Sequence, residues 1–160
     1  MRIDDTEPPG TARTAAHRDE YACALAWAAL TAAHGRIAER LGAHLAESCG
    51  IGITDFEILL RLASVPPPGL RLGELGPAVR LTQPALSRAA VRLARRGWLS
   101  RADAPDDRRG RLVAITPAGR ETLRRAVPVH ARTIREFLLD PLTPAEQDLL
   151  ARILSRVAES

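Results

Sequence analysis

The chain has 160 residues, enough for one ordinary domain and too few for two independent hydrophobic cores. Its 23 basic residues are all arginine and face 19 acidic ones, for a net charge of +4. The absence of lysine excludes a lysine-bearing phosphate loop and Schiff-base chemistry.

Alanine supplies 28 positions, and the aromatics are Tyr21, Trp27, Phe56, Trp98 and Phe137, a balance that favours closely packed helices over an aromatic-rich β-sandwich. Two cysteines, Cys23 and Cys49, are too few and too far apart to staple a secreted scaffold. No apolar run follows the polar start MRIDDTEPPGTART, and no stretch approaches the roughly 18 uncharged apolar residues of a membrane span. The expectation is a reduced, cytoplasmic protein with no membrane partner.

Residues 1–17, rich in Pro, Gly, Thr and charge, are expected to form a flexible leader. From about residue 18 to Ser48 there is no proline, and Leu30, Ile37, Leu41 and Leu45 recur at helical spacing, which predicts a helix of roughly 45 Å. A second helix is expected to start at a capping box formed by Thr54 and Glu57, with Phe56, Leu59, Leu60 and Ala63 on its buried face. Pro66, Pro67, Pro68 and Gly69 stop it. A short helix follows from Leu72 to Val79, with Pro77 inside it.

Thr82 to Gly97 reads as the next helix, with Thr82 as N-cap, Pro84 in the first turn and Gly97 as the left-handed stop. At 100° per residue, Leu86, Ala90 and Leu93 lie within about 60° of one another, and Arg88, Arg92 and Arg95 cluster on the opposite side. Trp98–Arg101 and Arg111–Thr116 read as two strands joined by a charged, turn-rich tip over 102–110. A helix from about Pro117 to Leu139, interrupted by Pro128, precedes a last one from Thr143. Thr143 and Glu146 form a capping box there, and Leu149, Leu150, Ile153, Leu154 and Val157 form an apolar stripe.

Three short helices followed by a hairpin, with arginines on the third helix and at the hairpin tip, form the winged helix-turn-helix layout used on duplex DNA. A helix fits the major groove, and a flanking hairpin can lay arginines into the minor groove. Arginine suits both tasks because its planar fork pairs bidentately with guanine or phosphate. The predicted fold class is mainly α with a small β-hairpin wing, a winged helix-turn-helix core flanked by dimerisation helices.

Gly52-Ile53-Thr54-Asp55-Phe56-Glu57-Ile58-Leu59, Leu81-Thr82-Gln83-Pro84-Ala85-Leu86-Ser87-Arg88 and the stretch from Asp103 to Gly119 resemble the MarR (multiple antibiotic resistance regulator) family of transcription regulators. The last of these matches the family's Asp-x-Arg wing signature at Asp107 and Arg109, followed by Val113, Ile115, Thr116 and Gly119. Pro77 in the third helix and Gly110 after the wing arginines depart from the pattern.

The resemblance implies a homodimer, most simply a repressor, on a pseudo-palindromic operator in double-stranded DNA. The helical region would be 18–49 with 117–160, and the DNA-binding lobe 50–116. Gln83, Ser87 and Arg88 would read bases, and Thr82 and Arg92 would meet phosphates or groove edges. Pro84 and Arg111 complete the expected contact set, with Arg108 and Arg109 in the minor groove and Asp107 supporting them. The resemblance further implies a small aromatic or phenolic effector, for which Trp27, His34, Phe56 and His130 are the candidate pocket residues.

Two other readings stand beside this one. Cys23, with Tyr21 nearby, leaves open a redox-responsive regulator, and a winged helix can also dock an acidic protein surface. The four histidines share no ligand spacing with one another or with a cysteine, so neither a metal site nor a cofactor is expected. No nucleophile elbow, paired carboxylate or Gly-rich phosphate loop points to an enzyme. The net charge is also segregated. Residues 80–125 hold 12 arginines against Asp103, Asp106, Asp107 and Glu121, a net of +8, and the remaining residues sum to −4.

Overall fold

The structure is a computed structural model that describes the backbone of residues 9–104 and 107–159 and the side chains of 21–102 and 111–159. The described residues form six α-helices and a three-stranded antiparallel sheet: α1 (Pro9–Cys49), α2 (Ile53–Ala63), β1 (Leu70–Arg71), α3 (Leu72–Ala78), α4 (Gln83–Arg95), β2 (Leu99–Ala104), β3 (Asp107–Ile115), α5 (Pro117–Ile134) and α6 (Pro144–Ala158). A π-helical turn, Arg135–Leu139, follows α5. The chain divides into two units, residues 1–36 and 37–160.

In the first unit, α1 begins at Pro9, inside the stretch expected to be a leader. Proline is favoured at the first helical position, and no further proline occurs before Pro66, so nothing in residues 9–17 breaks the helix. Tyr21, Leu25, Trp27 and Leu30 are all exposed within this unit.

The second unit contains the core. Leu41, Leu45, Ile51, Phe56, Ile58, Leu59, Leu62, Leu75, Leu86, Leu93 and Val113 form its apolar centre. α2 starts two residues earlier than the capping box predicts: Gly52 is the N-cap, with no side-chain cap bond, and Phe56 N–H donates to its carbonyl at 2.9 Å. Ile51 is fully buried immediately before it, so packing sets the turn ahead of the Thr54–Glu57 pair. Leu60 is also on the outer side, 45% exposed, whereas Asp55, Ile58 and Leu62 join Phe56 and Leu59 inside.

α3 ends one residue before the predicted Val79, so Pro77 removes a hydrogen bond only from the last turn. The chain leaves α3 through Arg80 at φ 52°, with Leu81 N–H donating to Gly76 O (3.1 Å) and Arg80 N–H to Pro77 O (3.4 Å). This is a Schellman closure made without glycine. α4 closes the same way at the expected stop. Gly97 has φ 71°, and Trp98 N–H donates to Leu93 O at 3.0 Å.

The sheet order is β1-β3-β2. β1 is too short for any alternation to reveal and pairs Leu70 with Val113. β2 and β3 reach further than the predicted strands and pair Leu99 with Ile115. Between Asp103, opposite Arg111, and Ala104, opposite Asp107, the register slips, so Arg108, Arg109 and Gly110 are left over on β3 as a bulge.

Thr116 caps α5 by accepting from Gly119 N–H (3.0 Å), and its hydroxyl donates to Gly97 O (2.6 Å). Pro128 does not interrupt α5 as the sequence suggests. Pro128 and Arg124 are both exposed, so the carbonyl that loses its partner faces water. The α6 capping box forms as predicted, with Thr143 Oγ1 accepting from Glu146 N–H and Thr143 N–H donating to Glu146 Oε2 at 2.8 Å. Among the described residues no helix is long and apolar enough to cross a membrane.

Candidate nucleic-acid interface

α4 is amphipathic in space as in sequence: Leu86, Ala89, Ala90 and Leu93 are buried, and Ser87, Arg88, Arg92 and Arg95 are exposed. Thr82, at its N-cap, makes no side-chain cap bond, and Gln83 and Pro84 in the first turn are exposed. Ser87, Arg88, Val91, Arg92, Arg95 and Arg96 line a hollow of about 580 Å³ on this outer face. Such an array of guanidinium groups with one hydroxyl is suited to anionic oxygens.

Arg92 has a partner that its position alone does not reveal. Its Nε donates to Asp55 Oδ2 (3.1 Å) and its Nη2 to Asp55 Oδ1 (2.5 Å), a bidentate pair that ties α4 to α2. The hydrogen bond to Asp55, aided by its charge and opposed by burial, raises the Arg92 pKa. Arg96 is engaged as well. Its Nη1 donates to Gly50 O (2.6 Å), and its guanidinium carbon lies 4.7 Å from the Trp98 ring centroid. Arg120 donates to Ala63 O at 3.2 Å and Arg124 pairs with Glu121, so neither is a plain solvated cation.

A further concavity, also about 580 Å³, lies between α3, the start of α4 and the base of the hairpin. It is lined by Arg71, Leu72, Gly73, Glu74, Gln83, Ser87, Arg101 and Arg111. Arg101 pairs with Val113, two residues from Arg111, so both arginines extend the sheet face whose apolar part holds Leu99, Val113 and Ile115. Arg101 Nε is buried without a hydrogen-bond partner among the described residues. Sequence reasoning missed Arg71 and Arg101. Arg71 sits in a two-residue strand with no periodic signal, and Arg101 falls two residues from buried Leu99, at a core-facing spacing that gives a lone arginine no binding signal.

Of the wing residues, Asp107, Arg108 and Arg109 fall on β3, but their side chains lie outside the described ones. Arg111 is exposed beyond the bulge. Among the candidate effector residues, Phe56 is buried and stacks on His130. Trp27 is 68% exposed and His34 is exposed, both within the first unit. Cys23 is exposed and Cys49 half-buried, both as free thiols. Among the described residues no group of three or more His, Cys, Asp or Glu side chains is placed to hold a metal.

A family model described as the MarR family matches residues 50–110, from just before α2 to within β3. Transcriptional repressor MprA of Escherichia coli strain K12 is 30% identical over 108 residues, which is 68% of this chain and 61% of that protein. The chain thus spans less than two thirds of that relative's length. The HTH-type transcriptional regulator YkoM of Bacillus subtilis strain 168 is 32% identical over 108 residues, covering 67% of this chain and 68% of its own. Among solved structures, Sco3205, a MarR family transcriptional regulator from Streptomyces coelicolor in complex with DNA, superposes with a TM-score of 0.77 at 35% identity, covering 84% of each chain.

Proposed function

Because the chain belongs to the MarR family of transcriptional regulators, we propose that it is a sequence-specific, homodimeric DNA-binding regulator acting as a repressor on a pseudo-palindromic operator. The observation that carries this reading is the outer face of α4. Four apolar side chains bury one side of a 13-residue helix, and the other presents Ser87, Arg88, Arg92 and Arg95 to solvent. In this reading Gln83, Ser87 and Arg88 reach base edges, and Thr82, Pro84 and Arg92 face the groove wall. Asp107, Arg108, Arg109 and Arg111 form the wing contact with the minor groove.

Dimerisation is supported by apolar side chains that the single chain leaves in water: Tyr21, Leu25, Trp27 and Leu30 on α1, and Leu149, Ile153, Leu154 and Val157 on α6. A two-fold pairing that covers them would set two α4 helices about 34 Å apart, on successive major-groove faces. An effector released into this system acts through its different affinities for two spacings of those helices. The close stack of Phe56 on His130 makes these two residues partners of each other, and a ligand between them would have to separate the rings.

The test is to footprint the purified protein on the DNA flanking its own gene and to titrate binding against salt. Binding through several phosphates loses about 10³-fold or more between 50 and 200 mM salt and shows sequence preference. Salt-insensitive retention, or binding to an acidic protein surface without DNA preference, would assign the arginines to a protein partner instead.

A further inference from the structure

Arg92 stands on the outward face of α4 and is gripped from behind by α2. The grip is side-on: Nε and Nη2 share the two oxygens of Asp55. The Asp55 side chain is only 6% exposed, whereas that of Arg92 is 47% exposed. The carboxylate therefore uses one edge of the planar guanidinium. Among the described residues no hydrogen bond engages Nη1, and Arg92 lines the hollow that it shares with Arg88 and Arg95.

We propose that Asp55 is a positioning residue for DNA binding: it holds Arg92 so that the free Nη1 edge meets a backbone phosphate. The inference rests on the reading of α4 as the DNA-facing helix. A free arginine must give up its rotamer freedom when it contacts phosphate, but Arg92 has lost most of that freedom already on folding. The fork also needs orientation as well as charge, since a further bidentate or end-on contact requires the plane to lie correctly.

Two effects of Asp55 oppose each other, and they make the idea testable in sign. As a negative charge near the interface it weakens attraction for DNA, so if charge alone mattered, Asp55→Asn would tighten binding. As a positioning group it strengthens the contact, so Asp55→Asn weakens binding. The carboxylate is shielded behind the guanidinium it neutralises, and the loss of a charged hydrogen bond is the larger effect.

The experiment uses a duplex that the unmodified protein enriches from a randomised pool. Binding is measured over a salt series for the unmodified chain, Asp55→Asn, Arg92→Ala and the double variant, with a thermal melt of each. The expected result is that Asp55→Asn and Arg92→Ala each lose about tenfold in affinity. Each also lowers the salt slope by about 0.9, the value of one phosphate contact, and the double variant is no worse than either. Mere destabilisation lowers the binding-competent fraction and leaves the slope alone.

Arg92→Lys, which keeps the charge at an exposed tip and loses the fork, is expected to show the same tenfold loss, and it decides the matter if Asp55→Asn does not fold. The proposal is overturned if Asp55→Asn binds as tightly as the unmodified chain or tighter, if the two losses multiply, or if Arg92→Lys keeps full affinity. In those cases the DNA reading stands. A chain that enriches no duplex at all overturns the DNA reading and this inference with it.

Discussion

Phe56 and His130 stack across the contact between α2 and α5, with ring centroids 4.8 Å apart and planes inclined by 16°. Phe56 is almost wholly buried, and the burial it shares with His130 lowers the imidazole pKa, with Glu57 opposing the shift more weakly. The folded value lies below the ordinary 6.5, so the unfolded chain binds the extra proton first. This contribution to stability is complete above about pH 6.5 and is lost as pH falls through that value toward the folded pKa. Thermal melts at about pH 7.5 and about pH 5.5 are expected to show a larger acid loss in the unmodified protein than in His130→Gln. Equal losses would place the acid sensitivity in other groups.

The close approach of α5 to the end of α4 predicts a contrast between two glycines. A Cβ on Gly119 would run into the Trp98 carbonyl and lie 2.9 Å from Ile115 Cγ1, whereas one on Gly42 would meet nothing within 4 Å. Gly119→Ala is therefore expected to cost about 1–3 kcal/mol, since the obstacle is backbone that cannot step aside. Gly42→Ala, in the interior of α1, is expected to stabilise by about 0.4–1 kcal/mol. Denaturant melts of the two variants give the comparison directly.

Arg88 and Arg109 are expected to carry DNA affinity in different ways. Arg88→Ala should cost about 1–3 kcal/mol on the preferred duplex and relax the preference at one base position. Arg109→Ala should weaken operator binding strongly while leaving the dimer folded. Gel-shift titrations on matched and mismatched duplexes separate the two, and unaltered affinity for either variant would remove that residue from the interface.

The apolar stripe of α6 predicts an assembly effect. Leu154, 40% exposed in the single chain, becomes a buried unpaired charge in a two-fold interface if replaced by arginine. Leu154→Arg is expected to shift the protein from dimer to monomer in sedimentation velocity, with little change in helix content. A variant that remains dimeric would place the interface elsewhere.

Much of the fold was legible because its signals are local. The two faces of α4, the Gly97 stop and the Thr143–Glu146 box each involve residues within one or two turns of one another, where helix geometry alone brings them together. Where a local signal competed with packing, packing won: the buried Ile51 moved the start of α2 to Gly52, and the exposure of Pro128 let α5 run through it. The exposed arginine face of α4 is as legible as its apolar face for one reason, since a single helical period sets both.

What only the tertiary structure decided is which of those arginines are held, and by what. Asp55 and Arg92 are 37 residues apart, and His44 Nδ1 lies 2.9 Å from Thr133 Oγ1 across 89 residues. Arg96 finds its carbonyl acceptor 46 residues away in Gly50. Sequence spacing carries no information about such pairs, because they form only when separate helices pack at particular angles. Composition and periodicity determined a helical protein with a basic helix and a basic hairpin. The packing of α2 against α4 decided that one of its cations is neutralised and oriented from within.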